Sequence, residues 1–183
     1  MKLALLSGKG GSGKTTVSIL LYLAFTQAGH SVKITDLDPQ RTITRWLDLM
    51  EIEQVNAEQA SVEILDCPPR LDITTVREAI HEADKIILPA RPGPADLWTT
   101  QDTVAYLKDQ KATKKGKILW NCVRPGTLLS RDLENSTTEL GLSSLPAVLS
   151  LRECFQHIFL RGWPALDAAA REEAAQVALS VTA

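Results

Sequence analysis

Ser7-Gly8-Lys9-Gly10-Gly11-Ser12-Gly13-Lys14-Thr15-Thr16 stands between a short apolar run, Leu3–Leu6, and the long helical pattern Lys14–Ala28. Gly8, Gly13, Lys14 and Thr15 satisfy the spacing G-x-x-x-x-G-K-[ST]. Each residue type suits the holding of a polyphosphate. Glycines let consecutive backbone N–H groups wrap the phosphates, and the start of a helix adds partial positive charge. Lys14 reaches the outer phosphates, and the Thr15 hydroxyl completes a magnesium shell. A glycine-rich turn with a chance lysine is the alternative, but the strand before and the helix after select a nucleoside triphosphate site. Its candidate contacts are Gly8, Lys9, Gly10, Gly11, Ser12, Gly13, Lys14, Thr15 and Thr16. Lys9 is a second lysine in the loop, in the pattern K-G-G-x-G-K-T-T. One triphosphate does not need both lysines, so the extra one points to a second nucleotide.

Outward from the loop, short apolar runs alternate with helical patterns. Strands are expected at Lys2–Ser7, Val32–Asp36, Val62–Asp66, Lys85–Pro89, Ile118–Val123 and Ala147–Ser150. Most are continuously apolar, as strands of a parallel sheet covered on both faces are. Helices are expected at Lys14–Ala28, Thr42–Met50, Asp72–Glu82, Ala95–Lys111, Leu128–Leu140, Arg152–Arg161 and Asp167–Leu179. Gly29 fits the end of the first of them. The alternation predicts an α/β fold, a mostly parallel twisted sheet with helices on both faces. A chain of 183 residues with no linker-like stretch reads as one domain, 1–183.

Ligands of such sheets lie at the carboxyl ends of the strands. Asp36-Leu37-Asp38-Pro39-Gln40 ends the second strand. Two carboxylates at i and i+2 on an extended segment point the same way, one suited to the water shell of magnesium and the other to an attacking water. A simple Asp-Pro turn is the plainer reading. Val62–Asp66 is an apolar strand ending in one aspartate, the form of a carboxylate held beside Mg²⁺ through water.

Together these segments resemble the ParA/MinD family of P-loop ATPases. K-G-G-x-G-K-T-T matches the family's deviant Walker A motif, Asp36-Leu37-Asp38-Pro39-Gln40 its Walker A′ segment, and Asp66-Cys67-Pro68-Pro69 its D-x-P-P switch. The resemblance implies a three-layer P-loop NTPase fold and ATP with Mg²⁺ as cofactors. It gives Asp38 the activation of water, places Thr15, Asp36 and Asp66 at the metal, and makes Lys9, Lys14 and Asp38 the catalytic set. It implies that Lys9 reaches the partner's phosphates in a homodimer formed on ATP binding. Asp38-Pro39-Gln40-Arg41-Thr42-Ile43-Thr44-Arg45-Trp46 and Leu88-Pro89-Ala90-Arg91-Pro92-Gly93-Pro94-Ala95-Asp96 are similar to segments of small plasmid-partition ATPases of the ParF type. Trp46 and Trp98 read as packing residues rather than ligand stackers. Asn121 stands where the family often has an Asn near adenine, and it reads equally as a satisfied buried amide. Relatives carry P-R-x-x after a late strand; here Val148-Leu149-Ser150-Leu151-Arg152 lacks the proline, which leaves base contacts from that segment open.

Twenty basic against 22 acidic residues give a net charge of −2, which excludes a strongly basic nucleic-acid binder. Residues 108–131 depart from that average. They hold Lys108, Lys111, Lys114, Lys115, Lys117, Arg124 and Arg131 against Asp109 alone. This stretch is either a solvated loop or part of a DNA surface, with Arg124 and Arg131 the better candidates and Lys114, Lys115 and Lys117 next. The resemblance implies non-specific DNA binding by the ATP-bound dimer and release by a ParB-like or other activating partner. It also implies a cytoplasmic protein, nucleoid-associated with ATP. No helix-turn-helix precedes the loop, so specific operator binding is not expected. The C-terminal helix lacks a basic amphipathic face, so neither is a membrane partner. Three distant cysteines with no CxxC pair argue against a metal or redox motif and fit buried thiols in a reducing compartment. Two other classes remain open: a dethiobiotin-synthase-like ligase, and a nucleotide-gated adaptor that does not hydrolyse.

Overall fold

A computed structural model describes residues 1–183. Five strands form one sheet: β1 (Lys2–Leu5), β2 (Val32–Asp36), β3 (Val62–Asp66), β4 (Lys85–Ala90) and β5 (Gly116–Trp120). Their spatial order is β2-β3-β1-β4-β5, and every neighbouring pair is parallel. The expected α/β architecture is therefore present, with β1 at the centre and its end delivering the phosphate loop.

The helices are α1 (Lys14–Gln27), α2 (Thr42–Leu49), α3 (Thr74–Glu82), α4 (Pro94–Asp109), α5 (Leu128–Arg131), α6 (Leu133–Leu140), α7 (Cys154–Arg161) and α8 (Ala168–Thr182). Strand alternation splits the core in two. Leu3 and Leu5 face a layer that includes α1, α2, α7 and α8, whereas Ala4 and Leu6 face α3, α4 and α6. From Val17 to Phe25 every residue of α1 is buried, because the sheet lies on one side of the helix and α7 and α8 on the other. Apolarity all round is what a central helix needs. No helix is long and apolar enough to cross a membrane. Gly29, at φ 86°, ends α1: its N–H bonds Thr26 O at 3.0 Å and that of His30 bonds Phe25 O at 3.0 Å, a Schellman closure.

Three expectations change. Ala147–Ser150 is not a regular sixth strand. Leu145 N–H bonds Ile118 O at 2.7 Å and Leu149 N–H bonds Trp120 O at 2.9 Å. Four residues on this segment thus oppose two on β5, and the excess bulges around Pro146, which has no N–H to offer. Leu128–Leu140 is broken into α5 and α6 at Asp132, whose backbone at φ −104° and ψ 12° leaves the helical region. Trp98 does not pack; it is 68% exposed on the outer side of α4.

Trp46 does pack. It is 2% exposed, donates Nε1–H to Ile158 O at 3.3 Å and meets Tyr22 edge-on with ring centroids 5.6 Å apart. It locks α2 to α1 and α7. Trp46→Ala should lower stability by about 3–5 kcal/mol, read as a lower urea midpoint with an unchanged slope. A change below about 1 kcal/mol would show that α2 is not locked through this ring.

Candidate nucleotide site

The loop of residues 7–16 is held from three directions before any ligand arrives. Gly8 N–H donates to Thr103 Oγ1 of α4 at 3.1 Å. Asn121, just past β5, donates Nδ2–H to Ser12 O at 3.0 Å, and its Oδ1 accepts from Cys122 N–H at 2.9 Å. Both polar atoms of this amide are thus engaged within the protein, in keeping with a satisfied buried amide. The residue still lines the cleft beside the loop. Gly13 has no substitute here. It caps α1 at φ 95°, and a Cβ on it would stand 2.2 Å from Asn121 Nδ2.

The third anchor is Asp66. Its Oδ2 accepts from Thr15 Oγ1 at 2.9 Å and its Oδ1 from Ser18 Oγ at 2.8 Å, one turn further along α1. Burial pushes the Asp66 carboxyl up to about 6, against the pull of those two hydroxyls and of Lys14. Lys14 is 6% exposed and folds back so that Nζ donates to Lys9 O at 3.3 Å. Burial lowers its pKa, opposed by Asp66 and Asp38. Sequence reasoning missed Ser18, although a small polar residue inside the apolar run Val17–Phe25 was the available signal.

No three His, Cys, Asp or Glu side chains converge, so there is no all-protein metal cage. That donor set suits Mg²⁺, which keeps several waters and takes most other ligands from phosphates. Thr15 Oγ1 would bind it directly and Asp66 through water, since the two oxygens already meet at 2.9 Å.

Asp36 and Asp38 separate. β2 ends at Asp36, and the chain turns at once, with Asp38 N–H returning to Asp36 Oδ1 at 3.1 Å. The i, i+2 alternation therefore does not extend to Asp38. Asp36 Oδ2 accepts from Thr44 N–H at 3.0 Å and Thr44 Oγ1 at 3.2 Å, so this carboxylate satisfies one of the free N–H groups in the first turn of α2. It lines an outer cleft with Lys33 and Thr44, and it stands opposite Asp66 in the β2–β3 pairing, close enough for its charge to raise the Asp66 carboxyl. Asp38 lines the cradle, a cleft of about 320 Å³ with Gly10, Gly11, Lys14, Thr15 and Gln40. A second cleft of about 200 Å³ continues from Gly11, Gly13 and Thr16 to Asn121, Ser150 and Arg152.

Lys9 lies outside its own cradle. Its side chain is 47% exposed, and Nζ pairs with Asp96 of α4 at 3.1 Å. The basic stretch is not one surface. Lys114, Lys115 and Lys117 sit where β5 begins, whereas Arg124 and Arg131 follow its end, roughly 16 Å away at 3.3 Å per residue. Lys115 Nζ donates to His81 O at 3.0 Å and Ala83 O at 2.7 Å, and Lys117 Nζ to Ser143 Oγ at 2.8 Å. Arg124 and Arg131 are exposed and pair with no carboxylate; Arg124 lines a cleft with Arg91 on the nucleotide side.

A family model described as the CobQ/CobB/MinD/ParA nucleotide binding domain matches residues 3–164. The maintenance of carboxysome distribution protein A of Halothiobacillus neapolitanus is 26% identical over 195 residues, covering 94% of this chain and 90% of that protein. Among solved structures, the MinD cell division protein of Aquifex aeolicus matches with a TM-score of 0.80 at 17% identity, over 99% of this chain and 96% of that one. A plasmid partition protein of Borrelia burgdorferi bound to AMPPNP matches with a TM-score of 0.76 at 14% identity, over 99% and 97%. The fold is shared with these two solved structures.

The folded chain holds the Asp66 proton at about 6, above its ordinary value of 3.8. The stabilising contribution of this group is therefore complete below the lower value and lost as pH rises through about 6. Asp66→Asn has no proton to lose at that site. In nucleotide-free melts it should gain Tm relative to the parent as pH goes from about 5 to about 8. Parallel pH courses for the two chains would contradict the burial of this charge.

Proposed function

The chain belongs to the CobQ/CobB/MinD/ParA nucleotide-binding domain family, and on that premise we propose that it is a magnesium-dependent ATPase that partitions or positions a large cargo. Residues 1–183 act as one ATPase unit. ATP joins two copies, the dimer binds DNA non-specifically, and a ParB-like or other activating partner stimulates slow hydrolysis that releases it. The protein then resides in the cytoplasm and gathers on the nucleoid when ATP-bound. The names of the Halothiobacillus and Borrelia relatives, carboxysome distribution and plasmid partition, support cargo positioning as the output.

The observation that carries this reading is the contrast between the two loop lysines. Lys14 is buried within its own cradle at 6% exposure, while the Lys9 side chain, 47% exposed, stands outside it. Lys14 serves the nucleotide of its own chain and Lys9 is free for another. The Lys9–Asp96 pair does not prevent this. A pair so exposed is worth about 1 kcal/mol or less, and a second triphosphate offers far more charge than one aspartate.

The chemistry follows from placement. Thr15 directly, and Asp66 and its sheet neighbour Asp36 through water, would hold Mg²⁺, which would supply charge neutralisation at the outer phosphates. Asp38, in the cradle, orients the water that attacks the terminal phosphorus and accepts its proton as the bond to ADP breaks. Lys14 in cis and Lys9 in trans stabilise charge on the transferring phosphoryl group. Arg124 and Arg131, exposed and unpaired on the nucleotide side, are the favoured DNA contacts, ahead of Lys115 and Lys117, whose ammonium groups already have partners.

Asp38→Ala should retain ATP binding while hydrolysis falls by about 10²–10⁴-fold; turnover at the parent rate removes Asp38 from this role. Lys9→Ala should remain a monomer with ATP by light scattering, and an ATP-dependent dimer of this variant would defeat the trans-lysine reading. DNA binding measured with ATP and with ADP over a salt series should be steep and ATP-dependent. Arg124→Ala should reduce the log–log salt slope by about one. Equal, salt-insensitive binding with both nucleotides would overturn the switch.

A further inference from the structure

We propose that Glu173, on α8, is a positioning residue for the nucleoside part of the ligand, holding the wall Ser150-Leu151-Arg152 of the second cleft. The inference rests on the reading of the chain as an ATP-binding protein, and extends it to a helix outside the loop and both carboxylate stations.

One carboxylate gathers four donors. Glu173 Oε2 accepts from Ser150 N–H at 2.9 Å, and Oε1 accepts from Ser150 Oγ at 2.8 Å and from Arg152 Nε and Nη2 at 3.1 and 2.8 Å. Its side chain is 18% exposed, and the hydrogen bonds outweigh burial to keep its carboxyl below the usual range. The need for it lies in the backbone. Leu149 and Leu151 direct their N–H groups to Trp120 O and Val123 O, on the sheet side. Extended chain alternates, so the Ser150 N–H faces outward, where no strand follows. Glu173 supplies the missing acceptor. It fixes Arg152 at the same time, and Asp167, the N-cap of α8, lies 4.0 Å from Arg152 Nη1.

The wall so fixed belongs to the nucleotide site. Ser150, Leu151, Arg152 and Phe155 line one cleft with Gly11, Gly13 and Thr16 of the loop. The phosphate cradle stands on other supports: Asp66, Asn121 and Thr103. Loss of Glu173 thus loosens the nucleoside side of the ligand while the phosphate side keeps its contacts. α8 becomes a lever on nucleotide recognition, because whatever displaces the helix displaces that wall.

The experiment titrates the full chain with Mg²⁺–ATP and with inorganic tripolyphosphate, comparing the parent with Glu173→Ala and Glu173→Gln. Glu173→Ala should weaken ATP by about tenfold and leave tripolyphosphate within about twofold, as expected for a lost charged hydrogen-bond centre. Glu173→Gln keeps an acceptor for Ser150 N–H and loses the charge facing Arg152, so it should fall between the two. Unchanged tripolyphosphate binding reports that the variant is folded. Equal losses for both ligands, or no loss for ATP, would make Glu173 a structural cap alone and overturn the proposal. A parent chain that binds tripolyphosphate but draws no added affinity from the nucleoside overturns it differently, by removing the nucleoside from the cleft. A parent that binds neither ligand defeats the ATPase reading itself.

Discussion

The buried carboxylate of Asp66 is the constraint on which the site depends. It ends β3, beside the central strand, and its two oxygens hold Thr15 and Ser18 on consecutive turns of α1. The hydrogen bonds fix how α1 is rotated on the sheet, and with it the direction of the backbone N–H groups ahead of the helix. Burying an aspartate is unfavourable unless its oxygens are satisfied. Two hydroxyls and the neighbouring Lys14 meet that need only in part, which leaves the carboxyl near 6. An aspartate so placed, buried beside two hydroxyls, is a donor suited to a hydrated divalent cation.

Around that point the two lysines of the loop divide the labour by burial. Lys14 is enclosed, with Nζ on the Lys9 carbonyl, and burial lowers its pKa against the pull of Asp66 and Asp38. Lys9 is solvated and pays little for its position. A buried cation acts on what enters its own cavity, and a solvated one acts on what approaches from outside.

Much of this was legible in the sequence because local chemistry fixed it. The glycine–lysine spacing, the apolar run ending in Asp66 and the alternation of strands and helices each need no distant contact to be read. The bonds from Thr44 to Asp36 were not legible in the same way: they depend on the chain turning immediately after β2, a geometry that i, i+2 counting assumes away. The basic stretch looked continuous because sequence distance hides a strand, and β5 carries its two halves to opposite ends of the sheet. Pro146 was visible, yet only the register against β5 reveals that it forces a bulge. Glu173 had no signal at all. Beside the exposed Glu172, which bonds Gln176 one turn on, it is one of two adjacent glutamates on an alanine-rich helix, and its partners lie more than twenty residues away.

The borders of the sheet carry a consequence for assembly. At one, the Ile34 N–H of β2 is taken by Gln54 Oε1 at 2.7 Å; at the other, Pro146 and the cap on Ser150 interrupt the line of free amides. Open borders invite strand-by-strand growth into fibres, and short, proline-broken or side-chain-covered borders refuse it. A second copy of this chain meets little on either flank to extend. Association of copies by strand addition is thereby disfavoured at both borders of the sheet.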